Sequence, residues 1–138
     1  MSEKTLKIWG TKIRVFKNEK IEVDILNLKA NTMCSMHKHA EKNNYFYVIS
    51  GLVKIVTEFG DILLVAGEDI NIPVKLIHQF RPMLDSVMLE IASVDKGFIN
   101  KEDIFRYCQG GRVVDGKDIT EDSLRKLGKL IYNKEDKK

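Results

Sequence analysis

The sequence predicts an all-β sandwich or barrel with a short helix appended at its C-terminal end. From Lys7 to about Ser93 the chain is a succession of short runs dominated by β-branched and aromatic residues. Turn residues punctuate those runs at close intervals. Many short strands at such spacing fit a sandwich or barrel and not a βαβ fold.

The runs follow one another as KIWG, KIRVF, KIEVDILNLKA, TMCSMHKH, NYFYVIS, LVKIVTEF, DILLVAG, DINIP, LIHQFR and SVMLEIAS. Phe59-Gly60-Asp61 separates LVKIVTEF from DILLVAG and reads as a hairpin turn, because glycine supplies the backbone freedom a tight reversal needs. After Asp95 the character changes. Lys101 to Phe105 reads as a short helical turn, and Gly110-Gly111 with Asp115-Gly116 as a flexible connection. Thr120 then reads as a helix N-cap, followed by Glu121 and Asp122 at the positive end of the helix dipole. Ile119 and Leu124 are placed to form a hydrophobic staple across that cap. Leu124, Leu127, Leu130 and Ile131 share one apolar face, opposite Arg125, Lys126 and Lys129. Such a helix packs on the barrel or on a partner subunit, and the terminal NKEDKK is read as frayed. The expected division is a barrel domain over 1–116 and a helix with a basic tail over 117–138.

With 138 residues the chain suits one domain. A hydrophobic fraction of 43% beside 31% charged residues excludes wholesale disorder. The net charge of +3 is spread along the chain without a basic, aromatic-interleaved stripe, so no nucleic-acid partner is expected. The opening MSEKTLKIWG lacks the apolar core of a signal peptide, and no apolar stretch approaches membrane-spanning length. Cys34 and Cys108 are too far apart in sequence to form a C-x-x-C pair. A cytoplasmic protein with free thiols is expected. Cys34 should have the opposite strand parity to His37 and so face away from it.

The chain's three histidines carry the chemical signal. His37 and His39 form an H-x-H pair at the end of a strand-like run, and alternate strand residues point to one face. His78, in the later run IPVKLIHQF, would complete a facial triad from a neighbouring strand. Imidazole is the commonest transition-metal ligand, being neutral and borderline-soft at physiological pH. Against this stands the plain alternative of three unconnected histidines.

The two histidine-bearing stretches resemble the motifs of the cupin family. NTMCSMHKHAEKNNYFYVISG aligns Asn31, His37, His39, Asn44 and Gly51 with the first motif. GEDINIPVKLIHQFRP aligns Gly67, Pro73, Lys75, His78 and Pro82 with the second. The resemblance covers residues from about 20 to 95 and implies a double-sheet jelly-roll barrel holding one divalent metal (Zn, Fe, Mn or Ni). Three positions depart from it. Asn31 and Lys75 stand where the family has turn glycines, and Asn44 where it supplies a metal-binding glutamate. The expected ligands are therefore His37, His39 and His78 with the amide of Asn44, a weaker neutral donor. Glu41 falls in the turn after the strand and is read as solvated.

KIWGTKIRV, YFYVISGLVKI and EIASVDKGFINKEDIFRY look like cupins of the mannose-6-phosphate isomerase type. That likeness implies an aldose–ketose isomerase for a sugar phosphate. Glu90 is then the candidate base, and Lys75 and Arg81, which flank His78, are candidates to hold the phosphate. Two alternatives remain open: a three-histidine iron dioxygenase, which needs no carboxylate ligand, and a small-ligand-binding cupin without catalysis. Small barrels commonly cover a strand edge by self-association, so a homodimer is expected through the N-terminal strands and the C-terminal helix.

Overall fold

The computed structural model describes residues 3–126. Two sheets face each other across one core. The first runs in the order β1 (Glu3–Lys7), β2 (Gly10–Lys17), β3 (Ile21–Leu28), β11 (Ser86–Val94), β6 (Lys42–Ser50) and β9 (Asp69–Ile72). The second runs β12 (Phe105–Cys108), β5 (Met36–Lys38), β10 (His78–Pro82), β7 (Leu52–Thr57) and β8 (Gly60–Val65). A small third sheet joins β14 (Lys117–Thr120), β13 (Gly111–Val114) and β4 (Thr32–Met33). All the strand pairs are antiparallel, and the architecture is the jelly-roll barrel that the family resemblance implies, within the sandwich-or-barrel class that the strand pattern predicts.

The inward rows of the first sheet change character along the strands. Leu26, Met88 and Val48 are ladder partners and fully buried. The next inward row is Asp24, Glu90 and Phe46, and the one after it Glu22, Ala92 and Asn44. The second sheet mirrors this: Phe80 pairs with Ile55 and Pro82 with Val53, whereas the row beyond Phe80 holds His78. Apolar side chains therefore plug one end of the barrel. Polar side chains face one another at the other end, which stays open. Trp9, buried in the turn between β1 and β2, packs edge-on against Phe80 with ring centroids 5.1 Å apart and ties that turn to the core.

Turn chemistry follows the sequence at the positions where it departs from the family. Asn31 takes φ 61° and Lys75 φ 70°, the left-handed conformation that glycine would otherwise supply. Lys75 is held there by its own N–H, which donates to the carbonyl of His39 at 2.6 Å.

The region after Asp95 differs from expectation. Residues 101 and 102 form an isolated turn closed by the N–H of Asp103 on the carbonyl of Asn100, and Phe105 starts strand β12 instead of ending a helix. The alternation of FRYC, together with pairing to β5, outweighs the local helical propensity of KEDIF. The supposed flexible connection is likewise structured. Gly111 begins β13, and Asp115-Gly116, at φ 51° and 77°, make the two-residue turn to β14. Thr120 does cap a helix, α1 (Glu121–Lys126), its Oγ1 accepting from the N–H of Ser123 at 3.3 Å. Leu124 is buried in the core cluster, with Ile119 packed against the same cluster. The remaining positions of the expected apolar face, Leu127, Leu130 and Ile131, lie outside the described residues, as does the basic tail. Among the described residues, no helix is long and apolar enough to cross a membrane.

Gly10 opens β2 at φ 142°, with the backbone of Asn27 directly where a Cβ would project. Gly10→Ala is expected to cost about 2–4 kcal/mol of stability through strain and collision. Urea denaturation measures this, and a loss within about 0.5 kcal/mol would contradict the close approach.

Candidate metal centre

One pairing places two of the histidines: in the register of β5 against β10, His37 and His78 are direct partners. Directly opposed residues on antiparallel strands project to the same face, here the barrel interior. His39 follows β5 by one residue and returns its ring to the same point. The centroids lie 4.5 Å apart for His37 and His78, 5.0 Å for His37 and His39, and 5.7 Å for His39 and His78. One ligand nitrogen from each ring lies within 4.8 Å of the others.

Each ring is held by its other nitrogen. Nδ1 of His37 lies 2.8 Å from the carbonyl of Ser35, that of His39 2.6 Å from the carbonyl of Asp103, and that of His78 2.8 Å from the carbonyl of Leu76. A carbonyl only accepts, so each Nδ1 carries the proton and each Nε2 keeps its lone pair, that of His39 facing the Asn44 amide nitrogen. Burial, the largest cause in every case, holds all three rings below their ordinary pKa, His37 at about 3 and His78 at about 4. The neighbouring histidines push His37 down further. All three are neutral at physiological pH, the state a metal ligand requires.

The site passes a direct test of fit for a cation. His78 Nε2 and Asn44 Oδ1 are buried without a hydrogen-bond partner among the described residues. An unsatisfied buried acceptor costs about 1–3 kcal/mol. A divalent ion at the convergence of the three Nε2 atoms would relieve that of His78.

Asn44 is buried beside the triad. Its Nδ2 lies 3.3 Å from His39 Nε2 and donates to Glu90 Oε2 at 3.2 Å. The amide thus turns its nitrogen toward His39, and rotation about the terminal bond would be needed to offer oxygen instead. Glu90 lines the same cavity of about 480 Å³, its carboxyl pushed above the usual carboxylate range by burial. Lys75 and Arg81 line other surfaces. Lys75 is exposed on its turn, and Arg81 makes a bidentate ion pair with Asp118 at 2.6 and 2.9 Å, tying β10 to β14. Glu41 is exposed, as expected.

Cys34 does not face away from the histidines. The strand breaks between Met33 and Met36, which resets the parity, and Cys34 is buried in the cavity wall. Its Sγ accepts from the N–H of Phe80, and burial pushes the thiol up to about 12, an unreactive state.

Sequence reasoning missed Asp103. Its carboxylate accepts from the backbone N–H groups of Ala40, Glu41 and Lys42 at 2.7, 2.9 and 3.1 Å, and its carbonyl holds His39. The aspartate therefore fixes both the loop after the H-x-H pair and the tautomer of its second histidine. The one available signal was FRYC read as a strand, which would have brought Asp103 to the loop that follows β5.

A double-sheet barrel with three convergent histidines at its open end is a cupin. Within that class the chain belongs to the mannose-6-phosphate isomerase C-terminal family, whose model matches residues 1–109. Solved structures agree on the fold. KdgF from Halomonas sp. is 16% identical over 62% of this chain and 81% of its own, with a TM-score of 0.58. Streptomyces PAC13 with uridine is 14% identical over 76% of this chain and 83% of its own, with a TM-score of 0.64. Oxalate decarboxylase from Bacillus subtilis matches at 18% identity and a TM-score of 0.63, over 77% of this chain but only 30% of its own. No curated protein matches the sequence closely enough to serve as a relative.

Two predictions test this geometry. For the metal-free protein, histidines with depressed folded pKa values contribute stability that is fully present above the ordinary value of 6.5 and is lost as pH falls toward about 4 and 3. Urea unfolding of chelator-treated protein should show a loss of at least about 1 kcal/mol between pH 7 and 5; a flat profile would mean the rings are not buried as neutral groups. Asp103→Ala, which frees three N–H groups, should lower metal affinity roughly 10–100-fold, as measured by competition with a chromophoric chelator. Unchanged affinity would remove Asp103 from the support of the site.

Proposed function

We propose that the protein is a metal-dependent aldose–ketose isomerase acting on a sugar phosphate. The observation that carries this reading is the convergence of three histidine ligand atoms, two of whose rings, His37 and His39, line one polar cavity with the carboxyl of Glu90. His37, His39 and His78 would hold a divalent ion, with Zn, Fe, Mn and Ni all compatible with the donor set. Bound there, the ion would supply Lewis-acid polarisation of an adjacent carbonyl and hydroxyl.

Glu90 is the proton carrier. Burial raises its pKa above the usual carboxylate range, the direction that strengthens it as a base. It removes the proton from the carbon bearing the hydroxyl, leaving that C–H electron pair in the C=C bond of an enediol, and delivers the proton to the neighbouring carbon, while the hydroxyl proton passes to the former carbonyl oxygen. Asn44 orients the Glu90 carboxylate through its Nδ2. The same sheet that carries Glu90 offers groups suited to a polyol. Arg14 donates to Asp24 at 2.6 and 3.3 Å, and with Glu22 and Lys12 it gives alternating donors and acceptors to which hydroxyl groups, able to act as both, are matched.

The test starts with metal analysis of protein purified without added metal, then follows interconversion of mannose 6-phosphate and fructose 6-phosphate. Glu90→Gln should retain metal and lose at least about a hundredfold in kcat. Equal kcat in that variant would remove Glu90 from the role. A metal-loaded protein that binds the sugar phosphate without converting it would be a binding module instead, and metal-stimulated oxygen uptake would identify a dioxygenase.

A further inference from the structure

The cavity at the histidines does not end at the barrel mouth. It adjoins a second cavity of about 390 Å³ that reaches toward α1. Six residues line both: Thr5, Lys7, Trp9, Cys34, Ser35 and Arg106. None of these is acidic, two are cationic, and Thr5 and Ser35 carry hydroxyls. Thr5 and Lys7 lie two apart on β1 and so project to the same side of the strand.

Arg106 is placed by the same ladder that builds the triad. It is the direct partner of His37 across β12 and β5, as His78 is across β5 and β10. His78, His37 and Arg106 therefore form one cross-strand row on the inner face. The neighbour Phe105 sits on the outer face, where Lys38 lies 6.0 Å above its ring. Among the described residues neither Lys7 nor Arg106 has an ion pair or a hydrogen bond from its side chain, in contrast to Arg14 and Arg81, each committed to an aspartate. Lys7 is held below its ordinary pKa by burial first and then by the positive charges of Lys12 and Arg106, which the carboxylates of Glu90 and Glu121 offset only in part.

We infer that Lys7 and Arg106 form an anion subsite at the neck between the two cavities, for the phosphate of a substrate whose other end reaches the histidine row. A guanidinium matches a tetrahedral oxyanion in a fork geometry, and an ammonium adds a point charge beside it. The Thr5 and Ser35 hydroxyls supply further donors at the same neck. Arg106 stands one strand beyond His37 and lines the same cavity, so an anion held there and the histidines belong to one continuous site. This inference rests on the sugar-phosphate reading and names the residues that select the phosphate.

Inorganic phosphate titrated calorimetrically into chelator-treated protein tests it without any turnover. Binding should weaken roughly tenfold or more in Arg106→Gln and in Lys7→Met, and stay unchanged in Lys29→Gln, which alters an exposed lysine elsewhere. Metal content and unfolding midpoint in the Arg106 and Lys7 variants should equal those of the parent protein. Parent-like phosphate affinity in both variants would overturn the subsite, as would acetate binding as tightly as phosphate. If phosphate binds through these two residues but the protein takes up no metal, the isomerase reading fails and the anion subsite stands.

Discussion

The pairing of β5 with β10 is the constraint on which the site depends. It opposes His37 to His78, and β12 extends the same row with Arg106. A slip of one residue would turn the histidine of the slipped strand to the outer face, because side-chain direction alternates with every residue. What holds the register is apolar. Phe80 and Pro82 continue β10 into the sealed end of the barrel, against Ile55 and Val53. The hydrophobic plug thus sets the position of a polar site two residues away along the same strand.

The second requirement is the protonation state of the rings, and the backbone meets it. Three carbonyls, from Ser35, Leu76 and Asp103, each take an Nδ1 proton, and burial keeps the rings neutral. The result is an arrangement of lone pairs already aimed before any ion arrives, which lowers the reorganisation needed on binding. Asn44 in place of a carboxylate removes one negative charge from this surround. Glu90 keeps a carboxyl in the cavity, at one remove, through the Asn44 amide.

Much of this was legible in the sequence, for identifiable reasons. Strand alternation and the H-x-H spacing give the β class and the His37–His39 pair because both depend on local period, while the resemblance to the two motifs supplies His78. Asn31 could be read as fitting a left-handed turn because asparagine tolerates that conformation, whereas the turn at Lys75, expected to differ or be strained, keeps the left-handed conformation of the glycine it replaces. Asp103 and Arg106 were not legible, since their roles come from pairing between segments far apart in the chain. Cys34 misled for a related reason: a parity argument holds only while a strand is continuous, and this one breaks at residues 34 and 35. Arg81 sits close to His78 in sequence, but its ion pair with Asp118 joins it to a strand that proximity along the chain does not reveal.

The Asp103 clamp also bears on how the protein is made. His39 and the residue that fixes its tautomer are separated by 64 positions. A chain emerging from the ribosome presents the H-x-H pair early, and His78 well before the clamp. Until residue 103 is free to fold back, the loop at residues 40–42 lacks its acceptor and the second histidine lacks its orientation. Domains fold largely as units once their chain is available. Any capture of an ion by the finished triad would therefore come late in biosynthesis, and a nascent chain truncated before Asp103 would carry all three histidines without the contact that orients His39.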